Sequence, residues 1–287
     1  MTALLSAVRV SKAFGGVQAL NGCTVEVAAG SITGLIGPNG SGKTTLFNVI
    51  TGYERPDAGE VYYAGKKITG SSPQRVFAAG IGRTFQLTRI FPRLTVLENM
   101  IVAAQHSGGL RGVAPPGQHS GGLRGVAPPG QHSGDGRRFR NPLARAGGPA
   151  DRHRAMELLE FTGIAGHAGK LAGTLSYGQR KLLELSYVLV ADPAIVLLDE
   201  PAGGVNPSLI NQLADRIREL NAAGKTFLIV EHNMEFVMGL CHHIAVLDYG
   251  TIVATGKPSV IRNDPRVLDA YLGTAEDDAE VRDDSAG

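Results

Sequence analysis

The sequence predicts an α/β fold with a largely parallel central sheet, on three observations. AIVLLDE and TFLIVEH are continuous apolar runs, the composition of strands buried on both faces. Segments of helical period alternate with such runs along the chain, as strand–helix–strand units do. A glycine-rich stretch, GPNGSGKTT, stands between one apolar run and one helical pattern.

The elements follow in order. CTVEV at Cys23–Val27 alternates like a half-buried strand, and SITGLIG runs apolar into the glycine-rich loop. KTTLFNVITG reads as a helix stopped at Gly52. GEVYYAGKKI reads as part of a hairpin and TVLENMIVAAQ as a helix; helical pattern resumes at Asp151 with DRHRAMELLEFTGI. In SYGQRKLLELSYVLV, Leu182, Leu185 and Leu189 share one face, which predicts a buried stripe. NPSLINQLADRIRELNAAG is a helix with a glycine stop, and HIAVLDYGTIVATG a closing hairpin. These elements predict a single domain over 4–273, with a helical subdomain inserted at about 95–174.

Composition narrows the class. The 287 residues are 43% hydrophobic, enough for a sizeable core. Lys and Arg number 28 against 26 Asp and Glu, so no polyanion-binding footprint is written in the balance and no nucleic-acid partner is expected. Cys23 and Cys241 lie far apart without metal-type spacing, which argues against a disulfide framework or a zinc site. MTALLSAVRV lacks the pattern of a signal peptide, and VLVADPAIVLL is broken by Asp192-Pro193, short of a membrane span. A soluble, intracellular protein is expected.

One segment differs from the rest. QHSGGLRGVAPPG at Gln105–Gly117 is repeated letter for letter at Gln118–Gly130, and Gln131–Gly134 begin a third copy. Between 105 and 149 there are 12 Gly and 6 Pro, too few apolar anchors to offset ordering entropy, which predicts a flexible loop. Its His106, His119 and His132 recur only because the repeat does, so they predict no metal site. The tail, 274–287, holds six acids against Arg282 and reads as disordered, with a docking tail for a basic surface as the alternative.

The chemistry begins at Gly37. Gly37, Pro38, Asn39, Gly40, Ser41, Gly42, Lys43 and Thr44, with Thr45 next, fit G-x-x-x-x-G-K-[ST], in which glycines let backbone N–H groups converge on phosphate oxygens. The following helix adds the positive end of its dipole. Lys43 is expected at the β- and γ-phosphates and the Thr44 hydroxyl at Mg²⁺. Asp199, at the carboxyl end of a buried strand, suits the same Mg²⁺, and Glu200 beside it suits a general base for water. In TLSYGQ, Ser176 reads as a helix N-cap and Gly178 as a point of close backbone approach, where another anion can sit.

Placed some twenty residues before the LLDE strand, TLSYGQ resembles the signature of ATP-binding-cassette (ABC) ATPases. The other marks of that family stand in order: Gln86 in RTFQ as the Q-loop, GGVNP at Gly203–Pro207 as the D-loop, and His232 in VEHN as the switch histidine. Phe14 in KAFGG matches the aromatic position that stacks on adenine. The resemblance implies a P-loop NTPase of ABC type, with a mostly parallel central sheet, an antiparallel β subdomain and an inserted helical subdomain. It implies ATP and Mg²⁺ as cofactors, with Thr44, Gln86 and Asp199 at the metal. Glu200, His232 and Gln86 take catalytic roles, and Ser176, Gly178 and Gln179 meet the nucleotide held by a facing subunit.

RTFQLTRIFPRLTVLENMIVA, LSYGQRKLLEL, DEPAGGVNP and DPRVLDAYLG resemble the larger nucleotide-binding subunit of branched-chain amino-acid importers. That likeness implies a second ATPase subunit (the same or a homologous chain), integral membrane permease subunits, and indirectly a solute-binding protein. It places the chain peripherally on the cytoplasmic face of the membrane, with Gln86 linking the nucleotide to the permease. Four departures stand out: Tyr177 in the signature, Ser186-Tyr187 for an alanine-arginine pair, Asn206 for a D-loop aspartate, and His242-His243 for an aspartate-arginine pair. They predict looser helix packing or a looser subunit interface. The alternatives are the ATPase of a urea or lipopolysaccharide ABC system, or a soluble ABC ATPase on a cytosolic scaffold. An ATP-gated nucleic-acid module lacks tandem cassettes and a basic stripe, and a generic P-loop kinase lacks the signature and switch positions.

Overall fold

Two sheets and two sets of helices enclose the core. The structure, a computed structural model, describes residues 3–85, 90–108 and 148–271, with the side chains of 105–108 left aside. The repeat beyond Gly108, Gln86 and the acidic tail lie outside the described residues.

The first sheet is antiparallel, ordered β2-β1-β4-β5, from β1 (Ala3–Phe14), β2 (Val17–Ala28), β4 (Ala58–Tyr63) and β5 (Lys66–Lys67). The second is ordered β10-β9-β3-β8-β7-β6. In it β3 (Ile32–Ile36), β6 (Ile81–Arg83), β7 (Ile195–Asp199), β8 (Thr226–Val230) and β9 (His243–Asp248) run parallel, and β10 (Thr251–Gly256) closes one edge antiparallel. All five residues of each of β3, β7 and β8 are buried, as their apolar runs predict.

Alternation along these strands sorts the core into two layers. Leu35, Leu197, Leu228 and Leu247 face the first sheet and α1 (Lys43–Ile50), where Phe47 and Ile50 are buried among them. Ile36, Leu198, Ile229 and Val246 face the other helices. Those are α3 (Val96–Gly108), α4 (Pro149–Phe161), α5 (Tyr177–Leu189), α6 (Pro207–Ala222) and α7 (Met234–Leu240). Leu182, Leu185 and Leu189 are at most 2% exposed, the stripe their spacing predicts. Cys23 and Cys241 are free and buried, and burial pushes both thiols up to about 12, so neither is a reactive thiolate.

Several elements depart from the sequence expectation. β1 is unheralded because its alternation is broken: the register with β2 shifts between Ala7 and Val10, and Arg9 there has a φ of 48°. α2 (Pro73–Ala78), β6, α7 and α8 (Pro258–Ile261) are too short to show a period. α3 runs to Gly108, into the first repeat copy, rather than closing at Gln105. α4 starts at Pro149 rather than Asp151, since proline at the first position has its φ already set for a helix.

Two departures from the family pattern are accommodated within the chain. Fully buried Ser186 lies 2.8 Å from the Thr162 hydroxyl and ties the end of α4 to α5. His242 Nδ1 accepts from the Ile32 N–H at 3.1 Å, and its own N–H donates to Ile32 O at 2.8 Å, so it lengthens the β3–β9 ladder. Among the described residues, no helix is long and apolar enough to cross a membrane.

Candidate nucleotide site

β3 delivers the chain to Gly37, and the loop ends where α1 begins at Lys43. No side chain caps α1, so its first N–H groups are left for another acceptor. A Cβ on Gly37 would stand 1.9 Å from Leu247 O, so only glycine lets the loop lie this close to β9. The Gly250 N–H donates to Ser41 O at 2.9 Å and pins the loop to the β9–β10 turn. Gly37, Pro38, Ser41 and Lys43 are buried, Asn39, Gly40 and Thr44 are exposed, and Gly42 and Thr45 lie between.

Lys43 Nζ donates to Gly37 O at 2.8 Å and Pro38 O at 2.6 Å. The ammonium is thus folded onto the loop's own carbonyls. Burial lowers its pKa, and the Glu200 and Asp199 carboxylates oppose that fall. All three groups therefore share one electrostatic site.

The carboxylates come from the end of β7. Asp199 is buried, its N–H donating to Thr84 Oγ1 at 3.1 Å. Glu200 follows with a φ of 47°, a conformation that costs a non-glycine residue of order 1–3 kcal/mol. Its N–H is held by Val230 O at 2.9 Å, which turns the side chain toward the end of β8. There His232 Nδ1 lies 4.0 Å from Glu200 Oε1, with the imidazole 60% exposed.

Glu231 sets that arrangement, and motif reading passed over it. Fully buried, it accepts from Ala202 N at 2.5 Å through one oxygen, and from His232 N at 3.0 Å and Asn233 N at 3.1 Å through the other. It thereby clips the loop after β7 to the loop after β8. Its signal was its place in VEHN, where a charged residue closes an apolar strand. Glu231→Ala strands three amides, of which the buried Ala202 N–H alone is worth about 1–3 kcal/mol when unpaired. Urea unfolding should show a loss of at least about 1 kcal/mol, with Glu231→Gln losing less.

The signature forms a separate corner. Ser176 caps α5, accepting from Gln179 N at 3.3 Å, while Gln179 Oε1 accepts from Ser176 N at 3.0 Å. Gln179 Nε2 also lies 3.0 Å from His167 Nε2. Gly178 is buried, and a Cβ on it would stand 2.0 Å from Leu209 Cδ2, so its missing side chain serves the contact of α5 with α6. Asn206 caps α6 through Leu209 N at 2.9 Å, a task for which asparagine and aspartate are equally suited.

Phe14 closes β1 at the hairpin tip, 46% exposed, with Lys12 Nζ 5.1 Å from its ring centroid. The Ala19 carbonyl of the same hairpin abuts Gly42, which sets the hairpin beside the loop. The structure brings Lys43, Asp199, Glu200 and His232 together and leaves Ser176, Gly178 and Gln179 at the start of α5. The donor set fits a nucleoside triphosphate with a divalent cation: a backbone cradle no Cβ enters, an uncapped helix start, the exposed Thr44, and two adjacent carboxylates.

Comparison with known proteins points the same way. The ABC transporter family matches residues 20–203, and a family described as branched-chain amino acid ATP-binding cassette transporter matches residues 251–277. The probable branched-chain amino acid transport ATP-binding protein LivG of Archaeoglobus fulgidus is 36% identical over 277 residues, covering 96% of this chain and 98% of that protein. The high-affinity branched-chain amino acid transport ATP-binding protein LivG of Escherichia coli is 38% identical over 277 residues, covering 95% and 98%. A solved ATP-binding cassette of an ABC transporter in its ADP conformation is 33% identical, with a TM-score of 0.76 over 95% of this chain and 100% of that one. With motifs, sheet order and full-length similarity in agreement, the chain belongs to the ABC transporter ATP-binding family.

Proposed function

We propose that this chain is the ATP-hydrolysing subunit of an importer for branched-chain amino acids. The observation that carries the reading is the convergence of Lys43, Asp199, Glu200 and His232 at the ends of adjacent parallel strands, beside an uncapped helix start. The substrate class rests on the names of the relatives and on the family matched at residues 251–277.

In this mechanism the loop amides and the start of α1 hold the phosphates, and Lys43 exchanges its carbonyl partners for β- and γ-phosphate oxygens. Thr44 and Asp199, with Gln86, would hold Mg²⁺, which neutralises charge on the β- and γ-oxygens when bound. Glu200 takes the proton of the attacking water while its oxygen bonds to the γ-phosphorus and the bond to ADP breaks. His232 steadies the γ-phosphate, and Glu231 holds that histidine in register with Glu200. Ser176, Gly178 and Gln179 close on the nucleotide of a second cassette, identical or homologous, and Phe14 stacks on adenine.

The permease side of the reading has a surface to use. A groove of about 330 Å³ is lined by Thr51, Tyr53, Arg83, Phe85, Ile90 and Tyr187, at the stem of the segment leading to Gln86. Membrane subunits seated there would fix the chain on the cytoplasmic face and receive the solute from its binding protein. The test is reconstitution with the permease subunits in vesicles, reading leucine uptake and ATP hydrolysis together. ATP-dependent uptake with stimulated hydrolysis is expected. Hydrolysis indifferent to any membrane subunit would return the soluble-scaffold alternative, and uptake of urea alone would change the solute.

A further inference from the structure

Arg83 plays no part in the mechanism above, yet it is the most heavily engaged cation of the site. Its side chain is 6% exposed, and Nη2 donates to Asp199 Oδ2 at 3.0 Å, where the carboxylate is 4% exposed. Nη1 donates to Asn48 Oδ1 at 2.8 Å and to Thr51 Oγ1 at 2.9 Å, on and just past α1. The guanidinium carbon lies 4.9 Å from the centroid of Phe85, 5.5 Å from Phe47 and 5.8 Å from Tyr53. One end of this side chain thus touches the carboxylate assigned to the metal, and its flank forms the wall of the groove.

We propose that Arg83 is a positioning residue: the resident counter-ion of Asp199, which a divalent cation must share, so that metal binding is felt at the groove wall. The inference rests on the reading that Asp199 holds Mg²⁺. A carboxylate buried this deeply needs a cation, and Arg83 is bonded to it. When a dication takes the same carboxylate, two like charges face each other across it. Asn48 and Thr51 hold Nη1, so the guanidinium cannot simply swing away. The strain passes to its backbone instead, and that backbone is β6, an edge strand of three residues paired, among the described residues, only with β7. Phe85, two residues on, moves with it, and its N–H is tied to Glu184 Oε1 of α5 at 2.8 Å. The guanidinium thereby links the metal on one side to the groove on the other.

The test is thermal unfolding of the full chain in EDTA, in ADP with EDTA, and in ADP with Mg²⁺. The metal increment is the Tm difference between the last two. Arg83→Met keeps the stem and removes the charge, so its Tm in EDTA should fall by about 6 °C or more. Its metal increment should exceed that of the parent, because Mg²⁺ replaces the missing charge and meets no opposing cation. Arg83→Lys, which keeps one charge, should fall between the two. A purely structural role lowers every Tm alike and leaves the increment unchanged, which would overturn the proposal. Asp199→Asn separates the two levels of the argument. If it retains the parent's metal increment, Asp199 is not the metal ligand, and both the mechanism and this inference fall. If it abolishes the increment while Arg83→Met leaves it unchanged, only the inference falls. Should Arg83→Met not fold, the double variant R83M/D199N is expected to fold, since neither charge is then left alone. Failure of both to fold would overturn the counter-ion role.

Discussion

Glu200→Gln is expected to bind MgATP at close to the parent affinity and to hydrolyse it roughly 10²–10⁴-fold more slowly, the usual worth of general-base assistance. The amide keeps the size of the side chain and its place between the ends of β7 and β8, but it cannot take the proton of water. The backbone there is already held by Glu200 N to Val230 O, and the left-handed φ of 47° belongs to the turn rather than to the carboxylate. Single-turnover hydrolysis and nucleotide binding, measured on the same preparation, separate the two effects. Turnover near the parent value would remove Glu200 from the base role.

Lys43→Ala is expected to act on the other quantity. A charge-assisted bond to phosphate is worth about 1.5–3 kcal/mol, so nucleotide Kd should rise roughly ten- to a hundredfold. Lys43 spends its hydrogen bonds on Gly37 O and Pro38 O, so part of its interaction with phosphate offsets their loss. Lys43→Arg separates charge from shape: it keeps the positive charge but places a planar fork where the loop admits a single ammonium. Equilibrium binding of a fluorescent ATP analogue reads the change, and an unaltered Kd in Lys43→Ala would displace the loop from its assigned role.

The phosphate loop was legible because its chemistry demands backbone, and therefore glycine at fixed spacing, with one lysine and one hydroxyl. β7 and β8 were legible because a strand buried on both faces admits only apolar residues. β1 was not: a bulge at Arg9 puts two residues opposite one and destroys the period on which strand reading depends. Gly178 was singled out as a point of close backbone approach to an anion, and the structure adds a packing reason for the glycine. The structure gives the missing Cβ to Leu209 of α6, a contact 31 residues away that no local pattern encodes.

Arg83 and Glu231 show the same division within the site. Both stood inside quoted motifs, RTFQ and VEHN, which were read for Gln86 and His232 instead. What separates them from surface charges is burial, and burial is a property of the neighbours. Arg83 meets Asp199 across 116 residues, and Glu231 meets Ala202 across 29. The sequence alone determined the class of chemistry, the order of the motifs and the alternation of buried strands with helices, because each rests on residue type and local spacing. Tertiary structure alone decided where Lys43 points, which carboxylate Arg83 balances and how Glu231 joins two strand ends. Those follow from distances between segments far apart in the chain, which exist only once the parallel strands lie side by side.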